Sequence, residues 1–289
     1  MLVKGGVEGC VRYHVNSFSC YIYAMCRILG VVQQKPDGTE LVTELSAFRA
    51  LADCGCVPVG TPRGHRDGWG AVGYTDGKII FSKRRVEDAY RDPQYPSAIV
   101  RLAREKPQIV LVHFRKASIG GKSIPNTHPF TARGYSFCHN GSIFETKRKR
   151  IALTAATERL IKGMTDSERF FLYLLERLSP AAPAATVRKT FIAAIRIVRK
   201  NFDYTAMNML LTNGKTLWAV REVNTYNREV RQKKLLGYYT LFSGTDTRGG
   251  QTLVCSETLA IPAMRWKPIA NHRIVEVDLR STLAFTHRL

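Results

Sequence analysis

A cysteine that follows a methionine is the residue of this sequence best placed to act as a nucleophile. In a chain that started at Met25, removal of this methionine would leave Cys26 as the first residue, with its thiol beside a free α-amine. Reference pKa values are about 7.7 to 8.0 for the amine and about 8.5 for the thiol, so the amine could accept the thiol proton near neutral pH. The more frequent role of a free cysteine is a buried place in the core, here on a first strand.

Three further sets of polar residues lie where predicted strands or helices begin or end. Arg115 follows an apolar run, and a guanidinium can hold a substrate carboxylate through two hydrogen bonds. Asn140 and Gly141 end another strand, where a side-chain amide and a backbone N–H could stabilise an oxyanion. Asp166 begins a helix and could bind a substrate ammonium group. Taken singly, each signal also fits a structural role: a solvated strand-end arginine, an Asn-Gly turn and a helix cap.

Hydrophobic spacing predicts the elements that position these residues in the first half of the chain. Apolar residues three or four apart predict a helix over Thr39–Ala52. The dipeptide Asp76-Gly77 predicts a two-residue turn between strands Trp69–Tyr74 and Lys78–Ser82. The run Gln108–Phe114 is apolar and rich in β-branched residues, which predicts a central buried strand that leads to the arginine.

The second half of the chain is predicted to place two helices between groups of strands. One helix begins at Asp166-Ser167, where Ser or Asp is expected to cap its amino end, and the other covers Ala185–Lys200. The predicted strands are Thr127–Phe130, Tyr135–His139, Ala206–Leu211, Thr216–Arg221, Gly237–Phe242, Thr252–Ser256 and Arg273–Val277. Strands, two helices and further strands indicate an α+β domain whose sheets are covered by helices. No repeat or linker interrupts the chain after residue 26, which favours one domain.

The four chemical signals follow one another in a single order, and together they resemble a known family. The matching segments are Cys26-Arg-Ile-Leu-Gly30, Asp67-Gly-Trp-Gly70, His113-Phe-Arg115, Asn126-Thr-His-Pro-Phe130, Cys138-His-Asn-Gly141, Asp166-Ser-Glu168, Ser256-Glu257-Thr-Leu259 and Trp266. This pattern resembles the class II glutamine amidotransferases, which are amino-terminal-nucleophile (Ntn) hydrolases. It looks most like their stand-alone branch, which includes enzymes that cleave γ-glutamyl amides in ergothioneine synthesis and glutathione breakdown.

The resemblance implies a fold and a role for each candidate residue. The fold would be a four-layer αββα sandwich of two mainly antiparallel sheets covered by helices. Cys26 would attack the side-chain amide of glutamine or of a γ-glutamyl compound, releasing ammonia or an amine and glutamate. Asn140 and Gly141 would stabilise the oxyanion, while Arg115 and Asp166 would bind the α-carboxylate and the α-ammonium. His128 is a further candidate for the glutamine pocket, and a hydrogen-bonded structural histidine is its alternative role.

The resemblance covers residues 26–289, which we expect to form one amidotransferase domain, and leaves residues 1–25 outside it. An over-long start assignment is the favoured explanation for that extension, and a cleaved propeptide is the alternative. No synthase domain is present, so released ammonia would go to water or to a separate partner protein. Lys116 and Ser118 replace residues common in the fused relatives, so the sequence does not identify what the acceptor side of the pocket binds.

Composition limits the remaining possibilities. The 289 residues include 44 Lys and Arg against 23 Asp and Glu, a net charge of +21 that keeps nucleic-acid binding open as an alternative function. A catalytically silent scaffold of the same fold is another alternative. Seven cysteines without paired CxxC spacing suit a reducing cytoplasm, and we find no signal peptide or membrane span in the sequence. The spacing of the histidines matches no zinc signature, so neither a metal nor another cofactor is expected.

Overall fold

Two antiparallel sheets lie face to face in the computed structural model, and helices cover their outer faces. The structure describes residues 26–58, 61–118, 120–146, 148–179 and 181–289, so the prediction for residues 1–25 lies outside the described residues. The helices are α1 (Gly38–Cys54), α2 (Gln94–Arg104), α3 (Ala155–Glu158), α4 (Asp166–Leu175), α5 (Ala184–Asn201) and α6 (Arg228–Gln232). None of the helices in the described ranges is long and apolar enough to cross a membrane.

The first sheet contains both the start of the described chain and the strand predicted to end at the arginine. Its strands are β1 (Arg27–Gln33), β2 (Trp69–Thr75), β3 (Lys78–Arg85), β4 (Ile109–Phe114), β11 (Phe242–Asp246), β12 (Gln251–Cys255) and β13 (Met264–Pro268), in the order β13-β11-β12-β1-β4-β2-β3. Because β1 and β4 are antiparallel with Arg27 opposite Phe114, the residue before β1 lies beside the residue after β4. This register brings Cys26 and Arg115 to one edge.

The second sheet carries the Asn-Gly pair at the same end of the sandwich. Its strands are β5 (Phe130–Ala132), β6 (Tyr135–Asn140), β9 (Asn208–Thr212), β10 (Thr216–Arg221), β14 (Arg273–Asp278) and β15 (Ala284–Arg288), in the order β15-β14-β10-β9-β6-β5. The short strands β7 (Ile143–Phe144) and β8 (Asp203–Tyr204) pair separately. Aliphatic side chains from both sheets fill the layer between them, including Ile28, Leu111 and Leu210. Burial on both faces explains why β1 and β4 are apolar without alternation.

The helical layers complete a four-layer arrangement. Leu45 and Phe48 of α1 and Leu102 of α2 pack on the outer face of the first sheet. Phe170 of α4 and Phe191 of α5 pack on the outer face of the second. The order helix, sheet, sheet, helix agrees with the α+β prediction.

Most predicted elements are found close to their predicted bounds, and three details are wrong. The strand predicted over Thr127–Phe130 contains only Phe130, the first residue of β5, because the residues before it follow the 3₁₀ turn Ile124–Asn126. The hairpin turn has the expected backbone, with positive φ at Asp76 and Gly77. The cap of α4 is Thr165, whose hydroxyl accepts from the Glu168 N–H at 3.2 Å, rather than Asp166 or Ser167. The strand predicted over 237–242 is not extended before Phe242, where β11 begins. The 3₁₀ turn Leu235–Gly237 and an irregular segment precede it, with Leu235 and Tyr239 packed in a small separate cluster.

A buried carboxyl group lies between α1 and the first sheet. Glu44 is 1% exposed, and its Oε2 atom lies 3.3 Å from the Gln251 side-chain nitrogen. Burial raises the pKa of Glu44 from its ordinary value of 4.5 to about 8, since the charged form loses its hydration. The folded chain therefore holds a proton there that the unfolded chain releases above pH 4.5.

We expect the substitution Glu44→Gln to stabilise the fold at slightly alkaline pH. Between pH 4.5 and 8 the folded state binds more protons at this site than the unfolded state, so stability falls as pH rises through that window. The wild type should lose on the order of 3 kcal/mol relative to Glu44→Gln across it. Urea unfolding of both proteins at pH 5 and pH 8 measures this difference. Equal pH dependence of the two proteins would contradict it.

Candidate active site

The ends of β1, β4 and β6 and the start of α4 surround one cleft of about 330 Å³, counting its open mouth. Five of the six predicted site residues line it, and the sixth, Asn140, is the buried last residue of β6 beside them. The lining residues are Cys26, Arg115, Lys116, Ser118, His128, His139, Gly141, Thr165, Asp166 and Ser167. The sequence-predicted residues are therefore brought together although they come from different elements.

The nitrogen and the sulfur of Cys26 both face polar groups of neighbouring strand ends. Its backbone nitrogen donates to Asn140 Oδ1 at 2.9 Å, and Lys116 N lies 3.5 Å from Sγ as a donor. Loss of hydration raises the pKa of the Cys26 thiol to about 11, while the Lys116 N–H and the charges of Arg115 and Arg27 act in the opposite direction. The thiol is therefore protonated near neutral pH and needs a base to become a nucleophile.

Asn140 and Gly141, the residues predicted to stabilise an oxyanion, lie at the end of β6. Asn140 is fully buried, and its Nδ2 atom has no hydrogen-bond partner among the described residues, because its Oδ1 atom faces Cys26 N. Gly141 has φ of +144°, and a Cβ there would lie 1.9 Å from the Ala206 carbonyl oxygen. Only glycine fits this position. A buried donor without a partner is costly unless a ligand uses it.

Two side chains of opposite charge line the cleft with the thiol. Arg115 is 3% exposed and donates through Nη1 to the Gly121 carbonyl oxygen. Asp166 accepts from Ile143 N at 2.6 Å through one carboxylate oxygen, which holds the carboxylate at the start of α4. Because Thr165 caps this helix, the Asp166 side chain is not used by the α4 backbone. Together these groups can bind a ligand that carries both a carboxylate and an ammonium.

His128 lies in the cleft wall with both ring nitrogens buried. It is 4% exposed, its ring packs at a tilt against both His113 and Phe130 with ring centroids 4.3 Å apart, and neither ring nitrogen has a hydrogen-bond partner in the described part of the chain. Burial holds the pKa of His128 well below its ordinary range, and the neighbouring His113 and His139 lower it further. The ring is neutral near pH 7. The role of His128 in the glutamine pocket stays a prediction, as does its structural alternative.

Several residues that support the site were missed in the sequence. His139 Nε2 lies 3.1 Å from the Ala206 carbonyl oxygen, to which it must donate, so its Nδ1 atom accepts from Ser167 Oγ at 2.9 Å. Lys116 is buried, and its ammonium donates to the carbonyl oxygens of Gly64, at 2.9 Å, and Pro62. The signal for Lys116 was its place directly after Arg115. Across the described ranges, no group of three or more His, Cys, Asp and Glu side chains is arranged to hold a metal ion.

Comparison with known proteins supplies the family. The model of the family described as class II glutamine amidotransferases matches residues 25–235, well over half of the chain. The chain belongs to the class II glutamine amidotransferases. Among similar proteins of this family is "Putative glutamine amidotransferase YafJ" of Escherichia coli strain K12, 30% identical over 216 residues that cover 70% of this chain and 75% of that protein. A Haemophilus influenzae protein with a similar name is 28% identical over 231 residues, 75% of this chain and 69% of its own length.

Solved structures of the amidotransferases confirm the fold. A glutamine aminotransferase class-II domain protein from Silicibacter pomeroyi superposes with a TM-score of 0.59 at 19% identity, over 91% of this chain and 99% of that one. The glutamine phosphoribosylpyrophosphate amidotransferase of B. subtilis gives a TM-score of 0.57 at 14% identity, again over 91% of this chain. There the chain spans about half, 49%, of the longer protein. The fold is thus the predicted four-layer sandwich of the Ntn hydrolases.

Proposed function

We propose that this amidotransferase hydrolyses the side-chain amide of glutamine or of a γ-glutamyl compound, with Cys26 as its amino-terminal nucleophile. One observation carries the proposal: Asn140 accepts from the nitrogen of Cys26 at 2.9 Å, while its own Nδ2 donor is buried and without a partner among the described residues. A single side chain therefore contacts the group that would act as base and offers a donor to the oxyanion.

The first chemical step forms a thioester. A free α-amine on Cys26 takes the thiol proton, and Sγ attacks the amide carbon to form a C–S bond. The negative charge that develops on the carbonyl oxygen is stabilised by Asn140 Nδ2 and Gly141 N–H. The α-ammonium then gives its proton to the amide nitrogen, the C–N bond breaks, and ammonia or an amine leaves. Because the Cys26 N–H is bound to Asn140 Oδ1, the orientation of the amine is fixed during these transfers.

The second step releases the acid product. The same α-amine takes a proton from water, and the resulting hydroxide oxygen attacks the thioester carbon. The oxyanion hole is used again, the C–S bond breaks, and the thiolate is reprotonated by the α-ammonium. Glutamate leaves, both when the substrate is glutamine and when it is a γ-glutamyl compound. The ammonia of the first step passes to water or to a separate acceptor protein.

Substrate recognition follows from the charges in the cleft. Arg115 and Asp166 both line the cleft. In this proposal the Arg115 guanidinium binds the α-carboxylate of the substrate and the Asp166 carboxylate binds its α-ammonium. The neutral ring of His128 adds a hydrogen-bonding group to the same pocket. This set selects an amino-acid head group and leaves the amine side of the scissile bond open to glutamine or a γ-glutamyl amide.

The mechanism requires that residues 1–25 are missing from the active enzyme, which we include in the proposal. Protein expressed from the natural gene should have an intact mass that begins at Cys26. The same sample should hydrolyse glutamine, glutathione or a γ-glutamyl amide, read as release of ammonia, amine or glutamate. Asparagine is the control, since its side chain is one methylene shorter. Full activity in a chain that retains residues 1–25, or hydrolysis of asparagine alone, would overturn the proposal.

A further inference from the structure

A charged side chain is fully buried directly after the proposed nucleophile. Arg27 is the first residue of β1 and is 0% exposed, in a strand whose other side chains are mostly apolar. Its Nη1 atom donates to the carbonyl oxygen of Cys26 at 3.0 Å, and its Nη2 atom donates to the carbonyl oxygen of Cys56. Burying a guanidinium costs free energy of folding, so packing alone does not explain why Arg27 occupies this position.

The counter-ion of Arg27 is distant in sequence and follows the end of β12, the strand that pairs with β1. Glu257, two residues after β12, forms an ion pair with Arg27 Nε and accepts from Cys56 N at 2.9 Å. Arg27, Glu257 and Cys56 therefore form a closed set of contacts. It joins the start of β1, the segment after α1 and the segment after β12.

On the basis of the proposed function, we propose that Arg27 is a positioning residue that holds the nucleophile through its carbonyl group, and that Glu257 holds Arg27. In an enzyme that begins at Cys26, no preceding peptide constrains this residue. The carbonyl is then its remaining backbone anchor beside the bond from its nitrogen to Asn140. Fixing the nitrogen and the carbonyl group of Cys26 sets the direction of the amine and of Sγ. Small displacements of reacting atoms lower the reaction rate strongly.

The positive charge of Arg27 also affects the ionisation of Cys26. Together with Arg115 it favours the ionised form of the Cys26 thiol, against the effect of burial. A positive charge also disfavours protonation of a nearby amine. The first effect makes the thiol easier to deprotonate, and the second keeps the α-amine in its free-base form near neutral pH, whereas the bond to the carbonyl concerns geometry alone. Substitutions that retain or remove the charge can separate the two contributions.

The decisive pair of variants is Arg27→Lys and Arg27→Met. Lysine keeps the charge, but its ammonium cannot reproduce the planar fork that reaches the carbonyl oxygens of Cys26 and Cys56 and the Glu257 carboxylate. We expect kcat to fall about 10²-fold in both variants, with KM within about threefold of wild type. The pH midpoint for iodoacetamide alkylation of Cys26, followed on its own peptide by mass spectrometry, should stay in place in Arg27→Lys and rise in Arg27→Met.

Arg188→Lys is the matched control, because Arg188 of α5 forms an Arg–Glu pair with Glu276 at 2.8 Å outside the cleft. It should leave kcat and the alkylation midpoint unchanged. Wild-type kcat in a folded Arg27→Lys, whatever its melting temperature, would overturn the proposal. If Arg27→Met does not fold, Glu257→Gln is used in its place. We expect a smaller fall in kcat for Glu257→Gln, and a wild-type kcat in that variant would contradict the proposal. Alkylation needs no substrate, so an unmoved midpoint in Arg27→Met counts against Arg27 even if no γ-glutamyl amide is hydrolysed.

Discussion

Replacing Cys26 by alanine is expected to lower glutamine or γ-glutamyl amide hydrolysis by about 10⁴-fold or more, to the background rate. The sulfur is the atom that forms the C–S bond, and no other cysteine lines the cleft in the described part of the chain. The side chain is only partly buried, so the fold should tolerate the smaller residue. Release of ammonia and glutamate measures the loss.

Cys54→Ala provides the control for this prediction. Cys54 is an exposed residue at the end of α1 and does not line the cleft, so its removal should leave the rate unchanged. Isothermal calorimetry on Cys26→Ala should still show substrate binding, because Arg115 and Asp166 are intact. Undiminished turnover in Cys26→Ala would exclude the thiol chemistry. A wild type that binds but never turns over these substrates would instead indicate a silent scaffold.

Replacing Asn140 by alanine should lower kcat about 10²- to 10³-fold, the usual cost of losing one oxyanion donor. The substitution removes the buried Nδ2 donor and the oxygen that accepts from Cys26 N. KM should change little, because neither atom is proposed to contact the substrate head group. Steady-state kinetics on the best substrate of the panel separates the two constants.

Two further variants sharpen the test of Asn140. Asn140→Asp preserves the shape and the acceptor for Cys26 N but puts an oxygen where the oxyanion donor should be, so its kcat should be no higher than that of Asn140→Ala. Asn213→Ala removes an asparagine that bonds to backbone nitrogens in the β9–β10 turn, at the opposite end of β9 from the cleft. It should lower stability only. An Asn140→Asp enzyme with wild-type kcat would remove the oxyanion role.

The positions of the site residues could be predicted from the sequence because they follow or precede well-marked elements. The strand that leads to Arg115 and the strand that leads to Asn140 are both clear in the apolar pattern, and α4 has a clear start. Antiparallel pairing of β1 with β4 then places Cys26 beside Arg115. Their proximity depends only on strand ends, which local patterns indicate.

The supporting contacts could not be predicted in the same way. Arg27 is followed by an apolar run, and nothing nearby in the sequence shows that its counter-ion is Glu257. Thr165 was overlooked as the cap because Asp166 and Ser167 are equally good capping residues, and the choice is decided by the hydrogen bond from Ile143 N to Asp166. Contacts between distant segments depend on the packed fold rather than on local preference.

The order of strands in the first sheet has a practical consequence for shortened versions of this protein. The family match ends at residue 235, yet β12 lies between β1 and β11 and pairs with β1 over its whole length. A clone cut at the family boundary would expose an unpaired edge next to the proposed nucleophile, and such edges promote aggregation. A shortened protein that folds on its own must therefore extend past Glu257. Residues 25–235 alone should not be chosen for expression.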